Sequence, residues 1–210
     1  MGKYTSPKPR TPSLNSCCVV LCSSCRSVPL DLFSKVLKAA LATCGTSVKL
    51  LTSGAVSAAL GLDDDFSFGE MSLAVSSWLH QQEEQNQMVL YQADWHDSSW
   101  NSLCCSQCDL ILLVGNGTDT PQLNSAEQEL YKISKHVPKA LVMLHVNPPP
   151  AYKPRDTRRW IESRKGIQMQ LQIRLHTHNI WYDTTHYKSD FTRLARMLTG
   201  NAIGLVLGGG

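Results

Sequence analysis

The feature that most constrains this chain is a recurring unit: a short apolar run that halts at glycine, proline or small polar residues, then a helical pattern. The clearest run is 109–114 (DLILLV), which ends at Gly115-Asn116-Gly117. It is too short for a helix and lacks polar alternation, so it reads as a strand buried on both faces. Residues 17–22 (CCVVLC), 47–51 (SVKLL), 88–92 (MVLYQ) and 140–146 (ALVMLHV) repeat the signal, and 170–175 alternates like a more exposed strand. Helical signals lie between them. Pro29 and Asp31 open a helix whose Leu32, Val36, Leu37, Ala40 and Leu41 share one face, and Gly45 closes it. Residues 53–60 form a small-residue helix before an acidic turn at 63–65, and 71–85 a helix with Leu73, Val75, Trp78 and Leu79 as its buried stripe. Residues 125–136 follow with Ser125 as cap, and 189–198 carry Phe191, Leu194, Ala195 and Leu198 ahead of Gly200. Strands separated by helices are βαβ units, so the expected fold is α/β: a mostly parallel, doubly wound sheet with helices on both faces.

Composition narrows the function classes. At 42% hydrophobic, 210 residues can bury a sizeable core, and a net charge of +3 is too small to point to nucleic acid. No stretch approaches the ~18 apolar residues that cross a bilayer, so any membrane contact of a soluble segment is expected to be peripheral. The eight cysteines, without a secretory signal, are read as reduced thiols in a cytosolic setting. Residues 1–13, with Pro7, Pro9 and Pro12 among Lys3, Lys8 and Arg10, form a basic tail lacking the apolar content to fold. Its first six residues fit the short pattern for N-myristoylation on Gly2.

Candidate chemical motifs are sparse. A nucleotide-binding sheet needs a glycine-rich phosphate loop after its first strand, but Ser23-Ser24-Cys25-Arg26-Ser27-Val28-Pro29 holds no glycine and no Gly-Lys-Ser/Thr. Gly115-Asn116-Gly117 lacks the third glycine of the dinucleotide fingerprint, so phosphate ligands are disfavoured and no cofactor is expected. Cys22-x-x-Cys25 and Cys105-x-x-Cys108 resemble zinc half-sites, yet one pair follows its strand and the other precedes its own, which a parallel sheet places at opposite edges. His145 reads as a hydrogen-bonded core residue. His176-Thr177-His178 has strand spacing that sets both rings on one face, with no evident carboxylate partner, and His186 stands apart. Lys153, Arg155, Arg158, Arg159, Arg164 and Lys165 around Trp160 form a basic loop and helix that could meet lipid headgroups or RNA, although most such charge runs are solvated faces. The Gly-x-Ser-x-Gly of a serine hydrolase is absent.

The closing run Ile203-Gly204-Leu205-Val206-Leu207-Gly208-Gly209-Gly210 reads as a strand entering a close-approach turn. Together with 189–202 it resembles the entry to the catalytic domain of the patatin-like phospholipases, in particular the neuropathy target esterase group. Residues 73–83 (LAVSSWLHQQE), 89–94 (VLYQAD) and 108–115 (CDLILLVG) are similar to a non-catalytic segment of that group. After the basic tail at 1–13, the resemblance implies an accessory α/β domain at 14–186, a linker helix at 187–202 and the start of a patatin-like domain at 203–210. It assigns Gly208, Gly209 and Gly210 to an oxyanion hole. It places the catalytic serine and aspartate outside this chain, so these residues alone are expected to be inactive. The implied parent is a lysophospholipase-type hydrolase acting on phospholipids or lysophospholipids at the cytoplasmic face of membranes such as the endoplasmic reticulum. The alternative is a shortened form serving as an interaction or regulatory module.

Overall fold

The computed structural model describes residues 18–62, 67–68, 73–153 and 157–202. Among these residues are six strands: β1 (Cys18–Ser23), β2 (Val48–Leu51), β3 (Met88–Gln92), β4 (Leu110–Asn116), β5 (Lys139–Val146) and β6 (Ile167–Leu175). Eight helices accompany them: α1 (Leu30–Thr43), α2 (Ser53–Leu60), α3 (Leu73–Gln85), α4 (Ser98–Gln107), α5 (Ser125–Ile133), α6 (Arg158–Glu162), α7 (Ile180–Thr185) and α8 (Asp190–Leu198). The strands form one all-parallel sheet ordered β2-β3-β1-β4-β5-β6.

Alternation along each strand divides the core in two. Val19, Leu21, Leu90, Leu112, Val142 and Ile173 point to the face covered by α1 and α8. Val20, Val89, Tyr91, Ile111, Leu113 and Met143 point to the other, under α2 to α6. The period-2 pattern is therefore present in the apolar runs, but both faces are buried and both positions are apolar. The β1-to-β2 connection runs leftward over one face, and the β3-to-β4 connection runs rightward over the other, the arrangement that right-handed crossovers require. β1 is thus the strand at which the winding reverses.

Most helix ends follow their local chemistry. Thr52, Asp97, Asn124, Asn179 and Ser189 each accept a backbone N–H of the first turn. The cap of α5 is thus Asn124 and not Ser125, and the helix stops at Ile133 rather than 136. Leu73, expected in a buried stripe, is 86% exposed, because Val75, Leu79 and Gln82 form the inward side of α3. Two helices escape the sequence reading, α4 and α7. In α8 the expected stripe Phe191, Leu194, Ala195 and Leu198 is fully buried against α1, with Phe191 and Phe33 rings 5.3 Å apart. The segment read as a linker helix therefore packs into the same core as β1 and α1. The basic tail, the acidic turn and the closing 203–210, with Gly208, Gly209 and Gly210, lie outside the described residues. No helix of the described residues is long and apolar enough to cross a membrane.

Candidate functional site

Because α1 leaves β1 on one face while α4 and α5 leave β3 and β4 on the other, the loops part on both sides of β1 at its carboxyl end. Such a switch point is where open parallel sheets hold their ligands. A cavity of about 100 Å³ lies there among Cys22, Ser23, Asp94, Trp95, Asn101 and Leu130. It adjoins a wider depression toward Thr52, Ser53 and Arg26. A third lies on the far side of β1, toward Asp119 and Asn124.

The walls are tied together by side chains distant in sequence. Trp95 Nε1 donates to Ser23 Oγ at 2.6 Å, closing the β3 loop onto the end of β1. Asp94 exchanges hydrogen bonds with the Asn101 side chain at 2.8 and 2.6 Å, and its carboxylate accepts His96 N and Ser53 Oγ. Beside it, the buried Gln92 Oε1 has no hydrogen-bond partner. The β1–α1 loop occupies the position of a phosphate loop, but its hydroxyl and thiol donors face a carboxylate. Cys25 Sγ and Ser27 Oγ both donate to Asp119 Oδ2, at 2.8 and 2.5 Å. Asn116 Nδ2 donates to Ser27 Oγ, and the Asn124 side chain to the Ser24 carbonyl. Pro29, just before the first helical residue, has no N–H to offer. A phosphate loop presents backbone N–H groups and a lysine to an anion; here a negative side chain already sits against the loop. None of Trp95, Asp94, Asn124 or Asp119 carried a signal of function in the sequence, although Asp94 lies two residues past the end of β3, in the loop region where such residues gather.

The remaining candidates fall into structural roles. Gly117 lies against the His145 ring, and a Cβ there would meet the ring at 2.1 Å. His145 Nε2 and Gln172 Oε1 are 2.6 Å apart, which fits the hydrogen-bonded core role expected of His145. His176-Thr177-His178 is not strand: β6 ends at Leu175, and the pair does not form a chelating face. His176 instead finds a carboxylate the sequence did not point to. Asp183, fully buried on α7, accepts His176 N at 2.6 Å and pairs with Nδ1 at 2.8 Å. Folding divides the basic stretch around Trp160: Lys153, Arg158, Arg159 and Lys165 stay exposed while Trp160 and Arg164 go inward. Trp160 is 5% exposed, Arg158 pairs with Glu162, and Arg164 is buried in a two-pronged pair with Glu127. Arg155 lies outside the described residues.

Of the cysteine pairs, Cys25 follows β1 at the carboxyl edge and Cys108 precedes β4 at the other. Cys105 on α4 comes near enough to Cys22 to add to the rise of its pKa. No group of three or more metal-binding side chains occurs among the described residues. Burial, the main cause, pushes the Cys22 and Cys108 thiols up to about 12 and Cys105 to about 11. At pH 8 a thiol of pKa 12 is ionised to about one part in ten thousand. Iodoacetamide mapping by mass spectrometry at that pH should therefore leave these three sites nearly unlabelled in the folded protein. In the unfolded chain the thiols ionise from their ordinary value of 9.0. Stability is then complete below pH 9 and drawn down as pH climbs toward 11 to 12, a fall in melting temperature that a pH series would record. Rapid labelling at pH 8 would contradict the burial.

With this geometry in place, the relatives are informative. The profile of the Neuropathy Target Esterase family P-loop like domain matches residues 15–181. The chain belongs to this family. It is 39% identical to patatin-like phospholipase domain-containing protein 7 of Rattus norvegicus over 87% of its length, and 36% identical to protein 6 of Mus musculus over 95%. It is 36% identical to neuropathy target esterase sws of Drosophila grimshawi over 87%. The family member described here spans only 13–15% of the length of those relatives. Among solved structures, a plasmid partition protein from Borrelia burgdorferi superposes with a TM-score of 0.46 and 9% identity, covering 87% of this chain and 96% of that one.

Proposed function

We propose that this chain is a non-catalytic α/β module of a phospholipase-type serine hydrolase that cleaves acyl esters of membrane phospholipids or lysophospholipids. The carrying observation is membership of a family whose relatives are named as phospholipases and esterases, of whose length this chain spans only 13–15%. Among the described residues none of the seven histidines is hydrogen-bonded to a serine or cysteine side chain, which supports the non-catalytic reading. On this reading Gly208–Gly210 supply part of an oxyanion hole, and the serine and aspartate come from the rest of a longer protein at the cytoplasmic face of membranes such as the endoplasmic reticulum.

The test is a lysophosphatidylcholine assay on the 210-residue chain beside a longer member of the family. No turnover above the blank is expected from the chain alone, and turnover from the longer protein; robust hydrolysis by the chain alone sinks the reading. The P-loop-like architecture raises a nucleotide-binding alternative. With the Asp119 carboxylate against the β1–α1 loop, ATP or GTP at millimolar concentration is expected to leave the melting temperature unchanged. A dose-dependent rise in melting temperature would favour the alternative.

A further inference from the structure

At 153–165 folding buries Trp160 and leaves cations at the surface, whereas around the turn between α7 and α8 exposed rings and cations occur together. Trp181 is 71% exposed and Tyr187 67%, the two most exposed aromatic side chains among the large hydrophobics of the described residues. Tyr182, His186 and Tyr187 form a continuous stack, with centroids 4.6 and 5.0 Å apart and both ring pairs inclined by 22°. Lys188 Nζ lies 5.4 Å from the Tyr187 centroid, and Arg196 Nη1 donates to the Tyr187 carbonyl at 3.2 Å. The carboxylates of this segment are already engaged, Asp183 by His176 and Asp190 by Arg174. Lys188, Arg193 and Arg196 have no carboxylate within ion-pair distance among the described residues. The surface is therefore aromatic and carries uncompensated positive charge.

The display is held rigidly. The buried Ser189 Oγ donates to the Asp183 carbonyl at 2.7 Å, and Thr192 Oγ1 to the His186 carbonyl at 2.8 Å, so both ends of the turn are anchored to α8. These bonds hold the backbone from which the stacked rings project. Trp and Tyr rings settle at the depth of lipid headgroups because one edge is apolar and the other makes hydrogen bonds. Lysine and arginine beside them meet the phosphates of an anionic leaflet.

We infer that the α7–α8 turn is a docking surface for an anionic phospholipid layer, with Trp181 and Tyr187 entering the headgroup region and Lys188, Arg193 and Arg196 neutralising it. The inference does not rest on the hydrolase reading, since a non-catalytic module could carry the same surface. The test is co-sedimentation of the 210-residue chain with phosphatidylcholine vesicles, with and without phosphatidylserine. Binding is expected only when phosphatidylserine is present, and it should weaken as sodium chloride is raised. Lys188→Gln with Arg193→Gln should lower the partition coefficient by more than tenfold, on the order of fivefold for each cation. Trp181→Ala should lower it as well, while thermal melts of all variants stay at the parent value because the altered side chains are exposed. Absence of binding to either vesicle, equal binding to both, or binding indifferent to these substitutions overturns the inference. Docking of the patch on another protein instead of lipid would show itself as the first of those results.

Discussion

Replacing Arg164 by alanine is expected to cost about 3–5 kcal/mol of folding free energy, the range for breaking a buried ion pair by removing one partner. Arg164 Nε and Nη2 meet both Glu127 oxygens at 2.6 and 2.8 Å, and both side chains are fully buried. The guanidinium also donates to the carbonyls of Pro121 and Trp160 and lies over the Trp160 ring at 4.5 Å. It thereby joins the β4–α5 loop, α5 and α6, three pieces of chain that make no ladder with one another. Removing the arginine strands a carboxylate that burial has already pushed above its ordinary pKa. Arg164→Lys should recover only part of the loss, since a point charge cannot make the two-pronged contact. Arg164→Met combined with Glu127→Leu should cost far less than Arg164→Ala or Glu127→Ala, because no unpaired charge remains. Urea melts of the four variants decide the matter; equal losses for the single and double substitutions would mean the pair is not what holds this corner.

The second large effect is expected at Gly117, where alanine should destabilise the fold by about 2–4 kcal/mol. Backbone strain is not the reason, since Gly117 is not in the left-handed region that glycine alone adopts freely. The cost is steric: the new methyl would lie 2.1 Å from His145 Cε1 and 2.3 Å from Nδ1, so the ring must move. Moving it sacrifices the contact with Gln172 and the packing on Tyr152, whose ring centroid is 4.9 Å away. Overpacking of this kind costs about 1–3 kcal/mol and a lost hydrogen bond about 1 more. In a His145→Ala background the same glycine substitution should be nearly silent, and that double-mutant cycle is the check. A cost that persists without the imidazole would place the clash elsewhere.

These two sites show how unevenly the molecule could be read in advance. Gly115-Asn116-Gly117 looked like a fragment of a ligand-binding fingerprint, and its glycines turn out to admit side chains: Trp160 and Ser24 against Gly115, His145 against Gly117. Arg164 looked like one cation in a solvated run. Its partner lies 37 residues earlier, a separation that leaves no periodic trace. The same holds for Asp119, which reaches the β1–α1 loop across more than ninety residues. The helix α4 was missed because only Trp100, Leu103, Cys104 and Cys105 turn inward among polar neighbours, and α7 because six residues are too few for a periodicity to emerge.

What the amino-acid sequence determined alone is the class of the fold. Each strand is a self-contained apolar run, most helices carry their own cap and stripe, and their alternation admits little besides a parallel α/β sheet. Such signals are local, so they survive without knowledge of what packs where. Strand order, the parting of loops around β1 and the fate of each tryptophan and cation were decided only in three dimensions. Trp160 and Trp181 are the same residue type twenty-one positions apart, each near arginines and lysines. One is closed in beneath a buried ion pair and the other is left in water, because burial is set by which distant segments arrive to cover a side chain, and no local pattern records that.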